Sequence, residues 1–557
     1  MSSLTYQAQI GNQLQRGPSL RPNPCLPREA PNGVANKLSD AGLLRSMNHW
    51  GRAMVFGTMA DPLWPFIVAF CTVPVLILAV LSIGSEKLVD TLWPQCILAG
   101  GTFLSLRLLN RYPMVNPVHA VVFLFHWWFG FGPSVSAAFL SWKGDSAAAD
   151  AYLTGGITPT LIVAFGLPIY AWAARWVLGH WKRPQLTRLA PDGPTYEMGI
   201  LLRMVAVAVF AGLTLEVLSH FGLRAYNTVN YFGGQVSETW WLVPVAEAGH
   251  LLDFAIAIAC TLLAVPKLQK RAAIRWVISG IILVVLFRAL TSGSKGQLVL
   301  PAFYYIVAFA NWRRRLPWLV LIVGLVGYLS IVEPFVASMR IQAEQMSATT
   351  SAERIELFNE GWRNFEIGAT DHGTNVESLF RGTYPLAKEI SDRSSFMEGP
   401  WRGQSVRDGM SALLPRFLFP NKADSNMGNF FARQLETGGG NEGYLQNVAI
   451  TIPFEIVGNY GWLAGWLSFA VIGVVWASFV AFVLTVPRMT THPLTPYLIG
   501  FVMGIESSVG QFGNQIKMLL ILLALFWVVC WTAEKSRGLK ASARRPMSRT
   551  TVAEKWA

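Results

Sequence analysis

Apolar residues in this chain come in long runs with almost no charges inside them. A bilayer core of about 30 Å takes about 20 residues of apolar helix to cross. Twelve runs approach or exceed that length: 64–83, 92–109, 117–141, 156–178, 200–219, 242–266, 272–291, 296–311, 316–338, 461–485, 495–512 and 515–533. The eighth is short, and polar residues interrupt the eleventh. The pattern predicts an all-α polytopic membrane protein of about twelve transmembrane helices. Between spans nine and ten lies one segment of 112 residues, 339–450, predicted to be a large extracytoplasmic, periplasmic loop. Its 11 basic and 14 acidic side chains nearly cancel, as in a folded unit. Helical stretches such as 351–366 alternate there with Gly/Pro-rich turns. The predicted order is a disordered cytoplasmic tail (1–62), spans one to nine (63–338), the loop (339–450), spans ten to twelve (451–533) and a basic cytoplasmic tail (534–557).

Composition agrees with a membrane protein. Hydrophobic residues make up 52% of the 557 positions and charged residues 14%, against about a quarter charged in soluble proteins. A soluble enzyme is excluded. The net charge of +13 would point to nucleic acid in a soluble chain, but here no nucleic-acid partner is expected. With the N-terminus inside, the inner segments carry 28 Lys and Arg against 4 in the short outer loops. Cytoplasmic loops of membrane proteins carry just such an excess, so both termini are predicted to be cytoplasmic. No cleaved signal peptide is expected, because the first apolar run begins only at residue 64. Trp64, Trp93, Trp142, Trp240, Trp241 and Trp318 sit at run ends and read as interfacial anchors. The five cysteines form no CxxC pair or Cys/His cluster, so neither a disulfide framework nor a zinc site is expected. The two halves show no internal repeat of the kind that marks many secondary transporters.

Ionisable residues within spans are costly and therefore point to function. In this topology Glu216, Glu247, His250, Asp253, Arg288, Glu333, Glu506 and Lys517 all fall in the outer leaflet. Glu247, His250 and Asp253 are spaced three apart and line one side of a helix. They could form part of an outward-opening polar cavity, or simply pair with Arg288 or Lys517. A proton relay would also use such residues, but relays cross the bilayer centre.

A second group is the outer hairpin after span seven, Arg288-Ala-Leu-Thr-Ser-Gly-Ser-Lys-Gly-Gln297. Gly293 and Gly296 permit a tight turn, and Ser292 and Ser294 offer hydroxyl donors. Arg288 and Lys295 suit a phosphate or pyrophosphate. The hairpin lacks the GxxxxGK[ST] spacing of a nucleotide loop, and an ordinary Gly/Ser turn with a snorkelling Arg fits it equally well. The long loop adds Arg340, Arg416 and Lys422 near its ends, the last two within Pro415-Arg-Phe-Leu-Phe-Pro-Asn-Lys422. It then enters span ten through Pro453-Phe-Glu-Ile-Val-Gly-Asn-Tyr-Gly461, an Asn/Gly/Pro-rich re-entrant turn of the kind that lids an outer-leaflet cavity. His372 is a further base or donor candidate, although a lone loop histidine is commonly a surface residue.

The late loop, the Arg-x-x-x-Ser-Gly-Ser-basic-Gly hairpin, Leu-Phe-Pro-Asn-Lys422 and the Pro453–Gly461 entry together resemble the Wzy-type polymerases of O-antigen and exopolysaccharide repeat units. The resemblance covers roughly residues 270–515; before residue 200 only hydropathy matches. Lys295 stands where that family commonly has Arg, keeping the charge and losing the bidentate fork. The resemblance implies a glycosyltransferase of the cell inner membrane acting on polyprenyl-pyrophosphate-linked oligosaccharides within membrane lipid, and a partner that regulates chain length. Arg288, Lys295, Arg340, Arg416 and Lys422 would bind the pyrophosphate and stabilise its charge as it leaves. Glu247, His250, His372 and Glu455 are unranked candidates for the base on the acceptor hydroxyl. No Asp-x-Asp or Glu-x-Asp pair occurs, so no metal or other cofactor is implied. An O-antigen-ligase-like glycan transferase would need the same cationic site under a loop. A transporter of lipid-linked sugars would instead need midplane charges and broken helices.

Overall fold

The computed structural model describes, apart from short breaks, residues 64–144, 157–180, 198–217, 249–265, 295–332, 383–412, 450–484 and 492–543, with isolated residues elsewhere. Among these residues every regular element is helical. They are α1 (Trp64–Leu81), α2 (Leu88–Leu109), α3 (Pro117–His126), α4 (Gly132–Trp142), α5 (Ile157–His180), α6 (Met198–Val217) and α7 (Gly249–Ala264). There follow α8 (Lys295–Arg313), α9 (Trp318–Gly327), α10 (Thr383–Asp392), α11 (Gln404–Ala412), α12 (Ile452–Val483), α13 (Thr495–Val502) and α14 (Val509–Ala543).

Among the described residues, four stretches are long and apolar enough to cross a membrane: Val89–Leu109, Pro117–Trp142, Ile157–His180 and Ile452–Val483. Shorter apolar stretches occupy Ile67–Leu81, Ile200–Leu215, Leu251–Ala264 and Leu519–Val529. Trp172, Trp176, Val471 and Val475 are exposed along α5 and α12, an apolar surface that water would not tolerate but lipid does.

The centre of the bundle is α5, which packs against α2 on one flank and α12 on another. Small residues permit this close approach, the usual solution where lipid supplies no hydrophobic drive between helices. A Cβ on Gly101 of α2 would collide with the carbonyl of Ala164, and one on Gly166 with the ring of Phe469. One on Gly473 would lie 2.7 Å from the Tyr170 carbonyl oxygen. Gly101→Val therefore forces backbone apart. A drop in the detergent thermal midpoint, worth about 1–3 kcal/mol of overpacking, is the expected result. An equal midpoint for variant and parent would show that α2 and α5 are not this close.

Helix α3 starts where Asn116 and Pro117 dictate. The Asn116 side chain accepts hydrogen bonds from the backbone N–H groups of Val118 (2.8 Å) and His119 (3.1 Å), and proline fits the first helical position. A π-helical turn over Trp127–Phe131 joins α3 to α4, and neighbours bind the carbonyls of that turn. Gln95 Nε2 donates to Phe129 O at 3.0 Å and Ser134 Oγ to Gly130 O at 2.7 Å. His126 Nε2 lies 3.2 Å from Phe70 O, so that nitrogen carries the proton, and Nδ1 accepts from Thr102 Oγ1 at 3.0 Å.

Several predicted boundaries move. The Pro453–Gly461 entry, expected as a re-entrant turn, is helical from Ile452 and breaks only at Gly461. Pro453 stands within the first turn, where a proline costs no hydrogen bond. The border between runs eleven and twelve also shifts. Helix α13 ends at Val502, and α14 begins at Val509 and runs for 35 residues, through Lys517. Ser508, just before α14, is not helical, so the gap falls earlier than hydropathy alone placed it.

Candidate functional site

The kink in α12 organises the site. Gly461 has φ 84° and ψ 179°, a combination open essentially to glycine alone. Breaking a helix frees backbone groups on both sides, and in an apolar setting each needs another partner. The segment 391–401 supplies them. Ser394 Oγ donates to Val457 O at 3.3 Å, and the Trp401 N–H to Gly458 O at 2.9 Å. In return the N–H of Trp462 reaches Ser395 O and that of Leu463 reaches Phe396 O, both at 3.1 Å. Trp462 Nε1 donates to Ser391 O at 3.1 Å. Glycine permits this contact: Gly399 faces Gly458 backbone to backbone, and the buried Trp401 ring covers Gly458.

One turn and a half before the kink lies Glu455, with no solvent exposure. Ser405 Oγ on α11 donates to Oε1 at 2.9 Å, and the N–H of Val509, at the head of α14, donates to Oε2 at 2.6 Å. Asn459 Nδ2 donates to Ser405 Oγ at 2.7 Å and to the Glu455 carbonyl at 2.6 Å. The second bond fixes the amide orientation, since its oxygen cannot face a carbonyl. Both oxygens of the carboxylate thus accept hydrogen bonds, and three segments distant in sequence meet at one side chain. A second close glycine contact holds α11 to α14, with the Gly409 and Gly510 backbones touching.

Aromatic rings flank the carboxylate. Phe454 stacks on Phe129 with centroids 5.0 Å apart, and Phe129 meets Tyr384 of α10 at 6.0 Å. Tyr384 stacks in turn on Tyr152 at 6.1 Å. Burial pushes the Tyr384 hydroxyl up to about 12, so it stays neutral. On the outside of the site Arg402 and Arg407 are exposed on either side of Ser405. Arg402 has φ 47°, an uncommon conformation for a side chain other than glycine.

Of the nine residues put forward as base or pyrophosphate ligands, Glu455 is the one whose side chain is placed; Asp253, half-buried on α7, is placed as well. His250 is the second residue of α7 and Lys295 the first of α8, both described in backbone only. Glu247, Arg288, Arg340, His372, Arg416 and Lys422 lie outside the described residues. Ser405 and Asn459 escaped the sequence reading. Asn459 follows Glu455 by four residues and so shares its helix face, a signal that was there to use. Nothing local in the sequence marks Ser405.

Comparison with family models, with curated proteins and with solved structures finds no match.

Proposed function

We propose that this chain is a membrane glycosyltransferase that polymerises polyprenyl-pyrophosphate-linked oligosaccharide repeat units at the outer face of the inner membrane. The reading includes twelve spans with both termini in the cytoplasm, and a partner that sets chain length. Its main support is the carboxylate of Glu455, buried at a helix break and held by the segment between spans nine and ten.

In this reading Glu455 takes the proton of the acceptor hydroxyl. The acceptor oxygen then bonds to the anomeric carbon of the growing glycan as the bond from that carbon to the pyrophosphate oxygen breaks. Polyprenyl pyrophosphate leaves, its charge met by Arg288, Lys295, Arg340, Arg416 and Lys422, with Arg402 and Arg407 nearest Ser405 in sequence. Glu455 is closed off in the arrangement observed, so substrate reaches it once α11 moves away.

The test uses purified protein in nanodiscs, given the lipid-pyrophosphate-linked repeat unit of its own host, with products separated by size. A ladder of multiples that Arg288→Ala abolishes is the expected result. An undiminished ladder from that variant removes the hairpin from the site. Transfer only to an added lipid A core or protein acceptor makes the enzyme a ligase, and no transfer to any acceptor overturns the reading.

A further inference from the structure

Two side chains on the Glu455 face of α12 carry buried oxygens with no partner among the described residues: Asn459 Oδ1 and Thr451 Oγ1. Thr451 is fully buried and Asn459 is 2% exposed. Residues 451, 455 and 459 recur at four-residue intervals, so they form one line along the helix, about 12 Å from end to end at 1.5 Å per residue. Thr451 stands at the N-cap of α12, where a threonine hydroxyl ordinarily accepts from the helix's free N–H groups, yet it makes no such bond. Asn459 commits its N–H groups to Ser405 and to the Glu455 carbonyl, leaving its oxygen as an open acceptor. A buried polar atom without a partner is costly, and one that persists asks for a ligand.

From this geometry we infer that Thr451, Glu455 and Asn459 form a binding stripe for the hydroxyl groups of a saccharide, with the carboxylate in the middle and an open oxygen at each end. The inference rests on the glycosyltransferase reading and deepens it by naming the residues that hold the acceptor sugar. A hydroxyl donating to Asn459 Oδ1 and another exchanging bonds with Thr451 Oγ1 would place a third at Glu455. Two open points a helix turn on either side of a carboxylate match a polyhydroxylated ring system, whereas water molecules would need no such line. Ser405 covers the stripe, so the sugar enters as α11 shifts at the Arg402–Gly403 turn, where both residues have positive φ.

Thr451→Val and Asn459→Leu remove the open oxygens while preserving volume; Asn459→Ala replaces the latter if size-exclusion chromatography shows that it does not fold. Binding to full-length protein in nanodiscs is measured, without turnover, for the host's lipid-pyrophosphate-linked repeat unit and for polyprenyl pyrophosphate bearing no sugar. The parent is expected to hold the sugar-bearing lipid at least tenfold more tightly. Each variant should lose most of that preference and keep its affinity for the sugar-free lipid. Variants that retain the full preference would show that the open oxygens serve water only, overturning the stripe and leaving the glycosyltransferase reading in place. A parent that binds neither lipid overturns both.

Discussion

If the proposed function holds, Glu455→Gln is expected to abolish glycosyl transfer while the protein keeps its fold and its hold on the lipid-linked substrate. Glutamine matches glutamate in shape, and its carbonyl oxygen still accepts the Val509 N–H, as Oε2 does at 2.6 Å. Ser405 can rotate its hydroxyl to accept from the new amide. The proton-accepting capacity is what disappears, and removal of a general base typically costs about 10²–10⁴-fold in rate. Glu455→Ala behaves differently. It leaves the Val509 N–H and the Ser405 hydroxyl without their acceptor, each at about 1–3 kcal/mol, so its detergent thermal midpoint falls as well. Single-turnover rates and midpoints measured on the pair separate chemistry from packing. A Gln variant that transfers at the parent rate assigns the base to another residue.

Gly461→Val disrupts the junction between α12 and the segment that lies on it. The backbone there, at φ 84° and ψ 179°, costs a residue with a side chain about 1–3 kcal/mol. A Cβ would also sit 2.6 Å from Glu398 N and 2.7 Å from Ser395 O. Those are backbone atoms, which cannot swing aside as a side chain can. The expected outcome is a lower thermal midpoint and new protease cleavage within 391–412. Gly144→Ala is the control: its φ is +82° but among the described residues nothing lies within 4 Å of the added Cβ, so it carries the conformational cost alone. Equal midpoints for the two variants would show that the close approach to Ser395 and Glu398 contributes nothing.

The long apolar helices among the described residues were legible because lipid imposes a simple rule on sequence: long apolar runs with charges at their ends. Pro453 fits the first turn of a helix, yet beside Gly458, Asn459 and Gly461 it read as part of a turn. The break at Gly461 falls where the sequence placed the border between a re-entrant turn over Pro453–Gly461 and a span over 461–485, but the helix that precedes it, from Ile452, was not visible. The glycines at 458, 461, 465 and 473 look alike in the sequence. Only the partners distinguish them: 461 faces the backbone of Ser395 and Glu398, while 473 faces α5. Glu455 entered as one of four unranked base candidates, through the resemblance carried by the Pro453–Gly461 segment. Ser405, one serine among many in a long polar segment, became meaningful only through a contact made 50 residues away in sequence. Such pairings depend on tertiary geometry that no local pattern records.

The exchange of backbone hydrogen bonds between 395–401 and 458–463 also bears on how this chain can be recombined. A loop that merely rests on a membrane domain can be traded between related proteins at its two ends. Here the helix completes itself with atoms borrowed from the loop, so neither piece is a separable cassette. A chimera that exchanges 383–412 but leaves 452–463 behind would bring together a break and a filler that did not evolve for each other. The smallest transplantable unit therefore runs from Thr383 through Leu463, crossing the border that hydropathy draws between loop and span.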